Sequence, residues 1–147
     1  MLHEITKSAF GELLALHLSE AVVQEVKCGP GTGSIFTLHL NKPEKTVYLM
    51  VFCSWKLLQD VLLTCSWKDT ESYIAATLSA IKGQRLLDVR LAISGDLVLE
   101  IESGKQLLIF SDSAVPEEVA LEADYFVEVG QTILTCLRGK FYSERTK

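Results

Sequence analysis

The sequence predicts an α+β protein built as a tandem pseudo-symmetric repeat, in which each unit is a helix followed by a mainly antiparallel four-stranded sheet. A further helix is expected at the C-terminus. Apolar residues recur at helical spacing in two segments, alternate with polar residues between them, and repeat in the second half the pattern of the first. The connections between strands are too short for the crossovers of a parallel sheet.

All 147 residues are assigned to one compact domain. Within it, the two repeats are expected at about residues 5–67 and 69–127, and the last helix at 129–139.

The first repeat is expected to begin with a helix over about residues 5–17. Phe10, Leu14 and Leu18 lie on one face at helical spacing. His17 lies on the same face, and there a histidine at the edge of the core is more common than a catalytic base.

The second repeat begins with a helix of the same kind. Asp69 or Thr70 can cap its first turn, and Ile74 and Leu78 share one face, as does Ile81. Gly83 is expected to end this helix.

The strands of the two repeats align over most of their length. Residues 18–26 match 81–89 without a gap, and the apolar positions of two strand patterns follow in register. These positions are Phe36, Leu38 and Leu40 against Leu97, Leu99 and Ile101, then Leu49 and Val51 against Leu107 and Ile109. The offset changes only where loops are expected, as in a duplicated sequence. Chance similarity between amphipathic strands is the alternative.

The last helix is predicted from the spacing of Ile133, Leu134 and Leu137. Gly139 ends it, and the polar residues from Lys140 onward are expected to fray.

Charge and composition exclude several classes of function. The chain has 14 Lys and Arg against 19 Asp and Glu, a net charge of −5, so it lacks the basic surface that a nucleic-acid-binding protein needs. It shows no secretion signal at its start and no apolar run long enough to span a membrane. Its four cysteines form no metal-binding motif, which suits a reducing cytoplasm.

A glycine-rich segment over residues 28–34 resembles the start of a phosphate-binding loop. The lysine that such a loop requires is missing, and Ser34 is followed by a strand pattern instead of a helix. We therefore expect a loop between two strands, in which glycines adopt positive φ.

The tetrapeptide Cys-Ser-Trp-Lys occurs twice, at 53–56 and 65–68, and both copies are expected to flank one hairpin. With a turn near 58–60, Cys53 would lie opposite Cys65, close enough for a disulfide or metal pair. The histidines are not spaced to complete a metal site, so no metal or cofactor is expected. Trp55 and Trp67 could be core anchors or a rigid aromatic patch for a protein partner.

An acidic stretch is the other candidate partner-binding surface. Between Lys105 and Arg138 the chain contains no Lys or Arg. Six carboxylates lie in this gap, namely Asp112, Glu117, Glu118, Glu122, Asp124 and Glu128. A basic protein partner would be attracted to them, although such runs are more often only solvated.

Three strings resemble small bacterial proteins, some of which are similar to immunity proteins of toxin systems. The strings are Phe52-Cys-Ser-Trp55-Lys-Leu57, Gly83-Gln-Arg-Leu-Leu-Asp-Val89 and Gly95-Asp-Leu97-Val-Leu99-Glu-Ile101-Glu-Ser-Gly104-Lys-Gln-Leu107. The resemblance covers roughly residues 47–113 and implies a class of protein, not individual functional residues. It implies a bacterial binding protein, with toxin neutralisation as one form of that function.

Two functions from different classes follow. The first is a non-enzymatic binding protein that recognises a protein partner, because the chain shows no catalytic motif. The alternative is a small-ligand-binding or enzymatic domain with a cleft between the two repeats. A homo-oligomer is compatible with either function.

Overall fold

The structure, a computed structural model, describes residues 2–111 and 123–146. The described residues form two α-helices and twelve β-strands. The helices are α1 (Lys7–Leu18) and α2 (Glu71–Ser79). The strands are β1 (Leu2–Ile5), β2 (Val22–Cys28), β3 (Phe36–Lys42), β4 (Lys45–Val51), β5 (Trp55–Gln59), β6 (Leu62–Ser66), β7 (Leu86–Leu91), β8 (Leu97–Ile101), β9 (Lys105–Ile109), β10 (Tyr125–Val129), β11 (Thr132–Leu137) and β12 (Lys140–Arg145).

The strands form two antiparallel sheets. The larger sheet has seven strands in the order β1-β12-β11-β10-β4-β3-β2, and the smaller has five in the order β6-β5-β9-β8-β7. Side chains from both sheets and both helices belong to a single buried cluster. In it, Phe36 of the larger sheet meets Trp55 of the smaller at 5.2 Å between ring centroids, edge to face.

Each helix packs against strands of both sheets. Helix α1 contacts β7 and β12, and α2 contacts β2 and β6. Phe10, Leu14 and Leu18 of α1 are buried, as are Ile74 and Leu78 of α2. The apolar faces predicted for both helices are therefore confirmed.

The cap expected at Asp69 or Thr70 is formed by Thr70, whose side chain accepts from Tyr73 N. Helix α1 is capped by Thr6, whose side chain accepts from Ala9 N.

The two sheets are joined where β2 and β7 begin. Val22 faces Arg85 across an antiparallel bridge. Four backbone hydrogen bonds surround it: Glu20 N to Leu86 O, Gly83 N to Val23 O, Val23 N to Gln84 O, and Leu86 N to Ala21 O, each 2.7–2.8 Å long. This junction brings together the two segments that align in the sequence, residues 18–26 and 81–89.

The C-terminal helix predicted at 129–139 is wrong. Residues 132–137 form β11, the middle strand of two hairpins. Leu134 and Cys136 point to the core while their neighbours face outward, which is a strand alternation. The turn between β11 and β12 has both central residues, Arg138 and Gly139, at positive φ, as two-residue hairpins require. The expected fraying tail is β12.

The predicted fold class is also wrong, because the described residues are mostly strand and the strands do not form one four-stranded sheet per repeat. The meanders β2–β3–β4 and β7–β8–β9 lie in different sheets, but the hairpin that follows each of them joins the other sheet. Trp55 pairs with Ile109, and Tyr125 pairs with Val51. Burial of these two large rings between the sheets favours this arrangement, in which each hairpin joins the sheet opposite its preceding meander.

No helix among the described residues combines the length and the apolar composition needed to cross a membrane.

Candidate functional site

An apolar groove lies on the outer face of the seven-stranded sheet. Its volume is about 630 Å³. Its lining residues come from four strands and the segments beside them: Leu2, Phe52, Ala123, Phe126, Ile133, Thr135, Leu137, Tyr142 and Glu144. Between the sheets, by contrast, the space is filled by the buried cluster.

Two hairpins build the floor of this groove. In β11, Leu134 and Cys136 enter the core, so Ile133, Thr135 and Leu137 must project from the opposite face. Cross-strand pairing then places Phe126 and Tyr142 on either side of Thr135. These side chains are all half-buried.

The walls of the groove are aromatic and aliphatic. The Phe52 and Phe126 rings lie 6.0 Å apart between centroids, at an interplanar angle of 35°. Offset aromatic rings of this kind give a rigid apolar surface with little conformational entropy to lose on binding. The groove can therefore accept apolar side chains.

One carboxylate lies among these apolar residues. Glu144 pairs with Ile133 on one side and with Leu2 on the other, and it is half-buried. Across the described part of the chain, no Lys or Arg nitrogen lies within 4.0 Å of its oxygens. A half-buried carboxylate beside apolar walls can pair with a cationic group of a ligand.

A partly buried polar cluster supports the end of the groove near Ala123. The Ser111 hydroxyl donates to Asp124 Oδ2 at 2.9 Å, and Arg138 N donates to the same oxygen at 2.8 Å. Gly139 N donates to Ser111 Oγ at 3.1 Å. The cluster thus fixes the turn between β11 and β12.

The thiol of Cys136 borders this cluster and donates to Ser111 Oγ at 3.5 Å. Burial, chiefly, raises its pKa. Because the protonated thiol is a poor nucleophile, the geometry gives Cys136 a structural role.

The predicted acidic surface is only partly described. Asp112, Glu117, Glu118 and Glu122 lie outside the described residues. Asp124 is buried and its carboxylate is used by the cluster, so it does not belong to an exposed acidic surface. Glu128 is half-buried and faces outward opposite Ile133, beside the groove.

The two tryptophans have different environments. Trp55 is fully buried, and its Nε1 donates to Ser34 O at 2.9 Å, so its indole belongs to the core and not to a binding surface. Trp67 remains 39% exposed at the end of β6. The hairpin expected between the two tetrapeptides is formed by β5 and β6. Cys65 pairs with Leu57 in it, so the expected pairing of Cys65 with Cys53 is wrong.

The glycine-rich segment is the loop between β2 and β3. Gly33 N donates to Glu71 Oε2 at 2.7 Å, and Gly29 N donates to Thr32 Oγ1 at 2.7 Å. The loop is therefore attached to the first turn of α2. Within residues 2–111 and 123–146, no group of three His, Cys, Asp or Glu side chains is placed to hold a metal ion.

Sequence reasoning missed the groove residues Phe126, Ile133 and Tyr142. The signal was present in β10 and β11, where apolar residues occupy both alternating sets of positions. A strand with two apolar faces needs contacts on both. The prediction of a helix over residues 129–139 concealed this pattern.

The fold and the groove together define the class of this protein: a two-sheet antiparallel sandwich with a helix at either side and an apolar groove on one outer face. Comparison of the chain with protein-family models, with curated proteins and with solved structures finds no match.

Proposed function

We propose that this protein is a non-enzymatic binding protein, and that the groove on its seven-stranded sheet binds an apolar, basic segment of a protein partner. The observation that supports the proposal is the placement of Glu144 among the apolar side chains of the groove.

The apolar character of this outer face supports a binding role. An antiparallel sheet that packs on a core with one face usually presents polar residues on the other. Here Phe126, Ile133 and Leu137 occupy that other face and form a concavity with Phe52. Contiguous apolar surface of this kind is typical of interaction sites.

Charge supports a basic partner. Glu4 and Glu128 share the outer face with Glu144, because each pairs with a groove residue, Tyr142 and Ile133 respectively. The whole chain carries a net charge of −5. Complementary charge would accelerate association with a cationic partner, and the apolar walls would retain it.

Within this proposal, a bacterial toxin is one partner of suitable chemistry, as the sequence resemblance implies, and the cytoplasm is the compartment. Support for the compartment comes from the four cysteines, which are all free thiols.

A small apolar molecule is the second candidate ligand. The groove volume of about 630 Å³ falls within the range of small-molecule sites. Native mass spectrometry of the purified protein tests this candidate, because a bound molecule lost from a Phe126→Ser variant would assign it to the groove.

The main test compares capture of partner proteins by four immobilised forms: the wild type, Phe126→Ser, Glu144→Lys and the matched control Val98→Ser. Val98 is half-buried on the outer face of the other sheet. We expect a basic protein, identified by mass spectrometry, to bind the wild type and the control and to be lost from both groove variants. Circular dichroism verifies that each variant is folded. Equal capture by all four forms would refute the proposal.

A further inference from the structure

The outer face around the groove is ordered in three rows by the pairing of β10, β11 and β12. The first row is Glu128, Ile133 and Glu144, the second is Phe126, Thr135 and Tyr142, and the third is Leu137 and Lys140. These side chains share the outer face because they alternate along each strand with residues that enter the core. The rows therefore change from acidic through aromatic to basic along the groove.

Two carboxylates flank the first row. Glu128 and Glu144 lie two strands apart, on either side of Ile133, so their Cα atoms are separated by about 10 Å. Both side chains are half-buried, and neither is ion-paired with a Lys or Arg of residues 2–111 and 123–146. Two like charges on one face repel each other, so a cation held between them would relieve the repulsion.

The width of this gap favours a guanidinium over an ammonium group. A guanidinium is planar and carries N–H donors on more than one edge, so it can pair with a carboxylate on each side at once. An ammonium is a compact and strongly hydrated point charge. Ile133 lies at the bottom of the gap and Tyr142 lies in the next row. They offer an apolar surface to the face of a guanidinium, which is weakly hydrated.

The spacing of the rows matches an extended polypeptide. Alternate side chains of an extended chain lie on one side about 6.7 Å apart, and Ile133, Thr135 and Leu137 of β11 have this same spacing. A segment lying along β11 would therefore place one side chain over each row. Over Thr135, that side chain would meet the half-buried rings of Phe126 and Tyr142, which suit an apolar residue.

The third row excludes a cation from the other end of the groove. Lys140 is exposed there and pairs with Leu137. Its ammonium repels a cationic group, whereas the carboxylates of the first row attract one. Phe52, whose N donates to Asp124 O, also lies at this end and lines the groove. An apolar side chain therefore suits the third row as well.

We propose that the first row is an arginine site, in which Glu128 and Glu144 hold a guanidinium of the protein partner between them. The partner segment is extended along β11 and carries apolar side chains two and four positions from the arginine. This inference rests on the proposed function, because it takes the groove as the binding site, and it names the residue type that the partner must supply.

Titration of the full chain with synthetic peptides, followed by nuclear magnetic resonance, tests the arginine site. The probe is acetyl-Arg-Ser-Leu-Ser-Phe-amide. One comparison peptide has lysine in place of arginine, and the other exchanges the arginine with the central leucine. We expect the probe to bind the wild type at least about tenfold more tightly than either comparison peptide.

Three variants test the two carboxylates. Glu128→Gln and Glu144→Gln should each remove most of the advantage of the arginine peptide over the lysine peptide. Glu4→Gln is the matched control, because Glu4 carries the same charge on the same face but pairs with Tyr142 one strand farther from Ile133. It should keep the advantage. Equal binding of the arginine and lysine peptides, an advantage that survives both substitutions, or no binding of any peptide would overturn the arginine site.

Phe126→Ser separates failure of this inference from failure of the proposed function. If the arginine and lysine peptides bind the wild type equally and neither binds Phe126→Ser, the arginine site is refuted while the groove still binds an apolar, basic segment. If Phe126→Ser binds the arginine peptide as tightly as the wild type does, the peptide lies outside the groove and the inference is overturned.

Discussion

Trp55 and Tyr125 occupy matching places in the two sheets. Each is fully buried at the first residue of its strand. Trp55 Nε1 donates to Ser34 O at 2.9 Å, and the Tyr125 hydroxyl donates to Gly95 O at 3.2 Å. Each acceptor lies just before the second strand of a meander, Ser34 before β3 and Gly95 before β8. One aromatic residue therefore connects each hairpin, β5–β6 or β10–β11, to a loop of the meander in the opposite sheet.

Removing these polar atoms should destabilise the protein. We expect Tyr125→Phe to lower the free energy of unfolding by about 1–2 kcal/mol, because the carbonyl of buried Gly95 loses its donor. Trp55→Phe should lower it by about 2–4 kcal/mol, since a smaller ring also leaves a cavity. Urea unfolding measures both. The control Trp67→Phe should stay within about 0.5 kcal/mol of the wild type. Equal stability of all variants would contradict a stabilising role for the Trp55 and Tyr125 hydrogen bonds.

Asp124 and Glu128 are both candidates for the acidic surface. Replacing each by its neutral amide should have very different effects on the free energy of unfolding. Asp124→Asn removes a charged acceptor from Ser111 and from Arg138 N, so we expect a loss of about 1.5–3 kcal/mol in unfolding free energy. Glu128→Gln, at a half-buried outward position, should change it by less than about 0.5 kcal/mol. Thermal and urea unfolding report the difference, and similar losses in both variants would argue against a buried Asp124 cluster.

Stability should fall in mild acid through His17. Burial first, then the ammonium groups of Lys45 and Lys42, lower its pKa below the ordinary value of 6.5. The unfolded chain therefore takes up this proton at a higher pH than the folded chain. The contribution of neutral His17 to the free energy of unfolding is complete above about pH 6.5 and is lost as the pH falls further.

Urea unfolding as a function of pH tests the role of His17. In the folded protein, neutral His17 Nδ1 lies 2.9 Å from Lys45 Nζ and can accept from it. The variant His17→Gln should show a smaller loss of stability on acidification than the wild type. An identical pH profile for both would show that His17 does not contribute.

The glycine-rich loop should loosen without Glu71. Its carboxylate accepts from Gly33 N at 2.7 Å, across 38 residues of sequence. We expect Glu71→Ala to speed amide exchange in the loop and to cost about 0.5–1.5 kcal/mol, whereas Glu71→Gln keeps an acceptor and should cost less. Hydrogen exchange measured by mass spectrometry provides the readout, with Glu12→Ala on α1 as a control. Unchanged exchange in Glu71→Ala would refute the contact.

Local patterns predicted the two helices and the hairpin between β5 and β6 well. The apolar faces of α1 and α2 and the Thr70 cap depend on residues three or four positions apart, which a sequence displays directly. The spacing of Ile133, Leu134 and Leu137 misled because it suits a helix and a two-faced strand equally.

The sequence by itself determined the apolar faces of the two helices, the hairpin between β5 and β6, and that the charge is acidic. Only the tertiary structure decided that each hairpin joins the opposite sheet, that Trp55 is buried while Trp67 is exposed, and that the groove forms on the outer face. The physical reason is the range of the interactions. Turns and caps are set by neighbouring residues, whereas strand partners such as Trp55 and Ile109 are chosen by backbone hydrogen bonds and burial between residues far apart in the chain.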